Sequence, residues 1–103
     1  MSAIASDNRA AHNATIHEVF HSAKIMRELA NGYAFALPNE TAIVMRVGEF
    51  IANERLCCPF FGFTLHVEPD GRDLWLHLTG PEGIKPFILA EIGSALNPSV
   101  VRP

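Results

Sequence analysis

The chain has 103 residues, near the lower end of the size at which one core holds without disulfides or metals, so a single domain spanning 1–103 is expected. Hydrophobic residues make up 49% of it, with Gly and Pro at ordinary levels, which excludes a disordered chain; no apolar run reaches the ~18 residues of a membrane span. The net charge is -3, and the lysines and arginines are scattered without a run or stripe to track a phosphate backbone, which argues against nucleic acid as a partner.

The first residues, M-S-A-I-A-S-D-N-R, lack a basic segment leading into an apolar one, so a cytoplasmic protein is expected, with residues 1–8 as a flexible tail. From Asn8 to about Ser22, Ala11, Ile16, Val19, Phe20 and Ala23 recur at helical spacing, and Thr15 with Glu18 fits a capping box. A rival reading carries this helix on to Ala30. The histidines His12, His17 and His21 fall near helical spacing and read most simply as solvated positions.

A hairpin is expected next, closed by the three-residue loop Ala30-Asn31-Gly32 with Gly32 left-handed. In that register Leu29 faces Tyr33, and Ile25, Leu29, Tyr33, Phe35 and Leu37 share a buried face. A two-residue Asn31-Gly32 turn is the alternative. Pro38-Asn39-Glu40-Thr41 then starts a helix capped by Asn39 or Thr41, with Ile43, Val47, Phe50, Ile51, Glu54 and Cys57 or Cys58 on one face. Glu54 is thus a carboxylate on an apolar stripe. Pro59 cannot continue the helix, so it ends at the cysteine pair.

Residues 61–79 alternate as two strands around the turn Pro69-Asp70-Gly71-Arg72. Pairing Glu68 with Asp73 puts Phe63, Leu65, Val67, Leu74, Leu76 and Leu78 on one side, and Thr64, His66, Glu68, Trp75, His77 and Thr79 on the other. A last helix follows, its regular part beginning near Lys85 because of Pro86, with Ile84, Phe87, Ile88, Ala90, Glu91, Ile92 and Leu96 mostly apolar and Asn97-Pro98 closing it. The sum is an α+β domain: a four-stranded antiparallel sheet with helices on one face, in the order α-ββα-ββα.

Running the second hairpin's register backward brings Phe60 near Pro81, so a candidate ligand site is expected from Glu54, Arg55, Cys57 and Cys58 against Thr79, Gly80 and Glu82. Adjacent cysteines have Cα atoms ~3.8 Å apart, below the usual disulfide range of ~4.4 to 6.8 Å, which rules out an ordinary disulfide and leaves only a strained, reducible one. Paired thiols favour soft metals such as Zn(II), Cu(I), Hg(II) or As(III), making Cys57 and Cys58 the candidate metal ligands. Arg55 would favour the thiolate, whereas burial and a helix C-terminus oppose it. His66 lies about 26 Å along an extended strand from Cys58, so a Cys/Cys/His/His zinc site in one chain is not expected.

The run E-R-L-C-C-P-F-F-G-F-T-L-H-V-E-P, with G-Y-A-F-A-L-P upstream and L-W-L-H-L-T-G-P-E-G downstream, resembles a family of small uncharacterised bacterial proteins carrying an E-R-x-C-C-P-F motif and a T-G-P-E-G segment. The likeness covers roughly residues 27–92. It implies that Glu54, Arg55, Cys57, Cys58, Pro59 and Phe60 are the motif positions, and it implies no activity.

Three readings follow. The first is a small thiol-centred binding protein in which Cys57 and Cys58 take a soft metal or a thiol ligand, tuned by Glu54 and Arg55, with a dimer or an exogenous thiol completing the coordination. The alternative is a homodimeric scaffold whose cysteines are packing and whose sheet face, with His66, Trp75 and His77, makes the contacts, that face being covered by a second copy or by the docked N-terminal helix. An enzyme using Glu54 as acid or base ranks last, because no histidine base is expected beside the cysteines.

Overall fold

The computed structural model describes residues 6–103, with side chains from Arg9 onward. Helix α1 (Ser6–His21) leads to strands β1 (Ile25–Leu29) and β2 (Gly32–Leu37), helix α2 (Thr41–Cys57), strands β3 (Gly62–His66) and β4 (Leu74–Thr79), helix α3 (Ile84–Ile92) and a 3-10 turn at Gly93–Ala95. The four strands form one antiparallel sheet in the order β1-β2-β4-β3, the expected α+β architecture. One face of the sheet, with Tyr33, Phe35, Leu37, Leu74, Leu76 and Leu78, joins the buried side chains of all three helices in a single core. At its centre Phe20 meets Phe35 and Phe50 edge-on, each at 5.1 Å. No helix among the described residues is long and apolar enough to cross a membrane.

The second hairpin has the expected register: Gly62 opposes Thr79, Leu65 opposes Leu76 and His66 opposes Trp75. Asp70 and Gly71 both take positive φ, at 64° and 69°, the conformation of a tight hairpin turn that suits the right-handed twist of the strands. The ladder stops at His66, so Val67, expected on the core face, is exposed.

The first hairpin differs from expectation by one register step. Leu29 pairs with Gly32, Glu28 with Tyr33 and Met26 with Phe35, leaving a two-residue loop of Ala30 and Asn31. Met26 enters the core in place of Leu29, which is half-buried on the opposite face. Gly32 is needed for close approach and not for a left-handed turn: a Cβ there would overlap the Leu78 carbonyl oxygen across the sheet. As an edge strand, β1 tolerates a polar residue on the core-facing side, and Glu28 is held there by Lys85 of α3 at 2.6 Å.

Helix α1 begins at Ser6, ahead of the expected start near Asn8, so residues 6–8 of the supposed tail are helical; residues 1–5 lie outside the described residues. The early start makes Thr15 an interior residue that donates to the Ala11 carbonyl at 3.0 Å instead of capping, while Glu18 reaches Arg46 of α2 at 3.2 Å. The cap of α2 is also not the one expected. Glu40 occupies the position without a side-chain bond, and Asn39 donates to the Arg72 carbonyl at 2.8 Å, tying the start of α2 to the second turn. Pro86 fits inside α3 because it falls in the first turn, where a backbone N–H has no helical partner to lose.

Candidate functional site

Glu54 in the last turn of α2 and Cys58, the residue that caps it, are four residues apart and lie on the same side of the helix end, Glu54 against His12 of α1 and Cys58 against Glu91 of α3. The helix ends there because Pro59 follows; the Cys58 N–H donates to the Glu54 carbonyl at 2.7 Å, closing the final turn. From α3, Glu91 brings Oε2 to 3.6 Å from the Cys58 sulfur, which donates to it. From α1, His12 brings Nε2 to 2.7 Å from Glu54 Oε1, and Arg9 donates to the Cys57 sulfur at 3.9 Å. Three helices thus meet at one polar cluster inside an otherwise apolar layer.

Burial sets the electrostatics. Glu54 is fully buried, and its pKa is pushed up to about 8, first by loss of water and then by the neighbouring Glu91 carboxyl. The Cys58 thiol is pushed up by burial, then by the Glu54 charge and the adjacent Cys57 thiol. His12 is pushed down, again chiefly by burial, with Glu91 opposing. Burial raises the acid and lowers the base, so both shifts favour the neutral forms of the pair, whose Glu54 Oε1 and His12 Nε2 lie 2.7 Å apart. His12 is additionally stacked on Phe50 at 6.0 Å.

Two polar atoms of this cluster, His12 Nδ1 and Glu54 Oε2, are buried with no hydrogen-bond partner among the described residues. Such atoms are uncommon in folded proteins because each costs roughly 1 to 3 kcal/mol. One ligand atom each from Glu54, Cys58 and Glu91 lies within 4.8 Å of the others, and these three side chains could hold a metal ion. A tetrahedral zinc with bonds of ~2.0 Å to oxygen and ~2.3 Å to sulfur would need ligand separations of about 3.5 Å, close to the Cys58–Glu91 distance of 3.6 Å.

The other residues proposed from sequence fall elsewhere. Arg55 is exposed on the outer side of α2 and Glu82 is exposed in the loop before α3. Thr79 donates to the Gly62 carbonyl at 3.4 Å, and Gly80 donates to the Asn31 carbonyl at 3.0 Å while lying against Ile84. Gly80 and Glu82 line a groove with Ala30, Asn31 and Pro86, and no cysteine borders it. The register argument behind the expected grouping is sound, but the chain reverses after Cys58: the Phe61 N–H donates to the Cys58 carbonyl at 3.1 Å. That turn sends Phe60 toward α3 and leaves the Cys58 sulfur beside Glu91 instead of the Gly80 loop.

The sequence reading missed Arg9, His12 and Glu91. Reading His12 as solvated is incorrect: of the three histidines on α1, His17 and His21 are exposed and His12 is buried. His12 lies four residues before Ile16 and eight before Phe20, on the buried stripe of α1, and Glu91 lies three residues after Ile88 on that of α3. A polar residue on an apolar stripe is the same signal that singled out Glu54. Arg46, on the same helix as Glu54, pairs with Glu18 and Glu49.

On the opposite face of the sheet, His66, Trp75 and His77 do come together, with the two imidazoles 4.8 Å apart and the Arg27 guanidinium 4.5 Å above the Trp75 ring. They line a shallow groove floored by Ala34 and bordered by Leu29 and Glu68. Burial lowers the His77 pKa, and nearby His66 and Arg27 lower it further.

Comparison of the chain with models of protein families, with curated proteins and with solved structures returned no match.

Proposed function

We propose that this is a small binding protein for a thiophilic metal, held by Cys58 with Glu54 and Glu91 and with Cys57 alongside. The observation that carries this reading is the convergence of three ligand atoms from two helices beside a buried Glu54 oxygen that has no partner among the described residues. His12 serves as the orienting group: by bonding Glu54 Oε1 it fixes the carboxyl plane and leaves Oε2 for the ligand. Entry of a cation requires the raised carboxyl and thiol to lose their protons, so binding strengthens with rising pH.

The same raised thiol argues against a nucleophilic enzyme. A protonated, carboxylate-bonded Cys58 is a weak nucleophile at neutral pH, and the imidazole nearby bonds the carboxyl and not the sulfur.

Titration with Cd(II) tests the proposal through the thiolate-to-metal charge-transfer band. One ion per chain is expected, with Cys58→Ser and Glu91→Gln weakening binding by about tenfold or more and Arg55→Ala and Glu82→Gln leaving it within about twofold. Wild-type affinity in Cys58→Ser would end the proposal.

The groove around Trp75 favours a second role, that of an interface with a second copy of the chain. Its floor is apolar, and Arg27 near one edge and Glu68 near the other give the two ends opposite charge, which two-fold symmetry would satisfy reciprocally.

A further inference from the structure

Beside the Cys58 cluster lies an aromatic surface that a bare ion does not use. The rings of Phe60 and Phe87 meet edge-on at 5.1 Å, and both stand against Phe61, at 5.3 and 5.7 Å. Phe61 is buried, yet Phe60 and Phe87 are 45% and 43% exposed. Their position is tied to the thiols twice. Phe60 follows Cys58 by two residues in the turn closed by the Phe61-to-Cys58 backbone bond, and Phe87 lies one helical turn before Glu91 on the same side of α3. The exposed phenyl rings therefore border the buried thiol–carboxyl cluster. A simple cation would use only the cluster.

We propose that the ligand of this site is an organic-substituted thiophilic electrophile of the type R–As(OH)2, with R an aryl or branched alkyl group lying on Phe60 and Phe87 and the trivalent centre bridging Cys57 and Cys58. This rests on the thiol-centred reading above and names its ligand class. The step is a condensation: R–As(OH)2 plus two thiols gives R–As bonded to both sulfurs plus two waters. Each As–OH bond is replaced by an As–S bond, each thiol proton leaves with a hydroxide, and arsenic stays trivalent, so no oxidant or reductant takes part. The ligand enters uncharged, which suits a buried site where an added charge is costly. A bridging atom also removes the difficulty of joining neighbouring residues, since the two sulfurs need not come within disulfide bonding distance. Glu91, 3.6 Å from the Cys58 sulfur, is placed to receive the thiol proton on its way to the departing hydroxide.

The test is calorimetric titration of the full chain with phenylarsonous acid and with arsenous acid, each in competition with dithiothreitol so that intrinsic dithiol affinity cancels. Wild type is expected to favour the phenyl compound by about tenfold after that correction, and Phe60→Ala or the milder Phe87→Leu to reduce the preference while leaving arsenous acid within about twofold. Cys57→Ser and Cys58→Ser should each abolish the two-thiol condensation. Equal corrected affinities in wild type, or a phenyl preference that survives both phenylalanine substitutions, would overturn the proposal. Cd(II) binding without any phenyl preference would leave the metal-binding reading standing and remove this one. Failure to bind Cd(II) and both arsenicals would remove both.

Discussion

The two sides of the molecule treat histidine in opposite ways. Between the helices, His12 is buried, bonded to one carboxyl and stacked on Phe50. Across the sheet, His66 and His77 lie against one another in an open groove under Arg27 and Trp75. The first arrangement depends on one partner in a buried place, and the second can exchange any contact for solvent. Interactions in the helix layer should therefore be worth several times those on the outer face, and the layer should be where pH acts on stability.

The largest expected effect is on the His12–Glu54 pair. His12→Ala removes the buried bond to Glu54 Oε1 and should cost about 3 kcal/mol in urea unfolding, against less than about 1 kcal/mol for His77→Ala. Equal losses would mean that water reaches the helix layer and that the contrast between the two sides does not exist.

Next in size is the pH dependence of stability. Glu54 has an ordinary pKa of 4.5 when unfolded and is raised to about 8 when folded, so its contribution is complete below 4.5 and is lost as the pH rises through 8. His12 acts in the opposite sense: with its folded pKa below 6.5, its contribution is present above 6.5 and is lost as the pH falls through the folded value. Between pH 6.5 and 8 the Glu54 term is thus unopposed by His12, and unfolding free energy should fall at up to about 1.4 kcal/mol per pH unit. Glu54→Gln, which keeps the hydrogen bond but cannot titrate, should flatten that slope. A slope unchanged in the variant would assign it to other groups.

The smallest expected effect concerns the outer face. Trp75→Ala should shift the sedimentation profile toward monomer while changing unfolding free energy much less than His12→Ala, because the indole is only half-buried. A wild-type chain that sediments as a monomer throughout the micromolar range would break the dimer reading.

How much of this was legible in the sequence depends on the kind of constraint. Alternation from Phe63 to Leu78 around Asp70-Gly71 gave the second hairpin its register, since a slip by one residue would expose three leucines. The first hairpin was misread because β1 lies at the sheet edge, where Ile25 and Leu29 can remain half-buried at small cost. Glu54, Cys57 and Cys58 stood out as polar or reactive residues at the end of an apolar stripe. Their partners did not, although His12 and Glu91 occupy equivalent positions on their own helices.

The amino-acid sequence by itself determined which segments are helices and strands, where α2 must stop, and which face of the second hairpin is greasy, because each follows from local periodicity or from what proline and glycine allow. Only the tertiary structure decided what surrounds Glu54. His12 is 42 residues away from it, and Glu91 is 33 residues from Cys58. Whether such residues meet depends on the rotation of each helix about its own axis as it packs, which no single stretch of chain can specify.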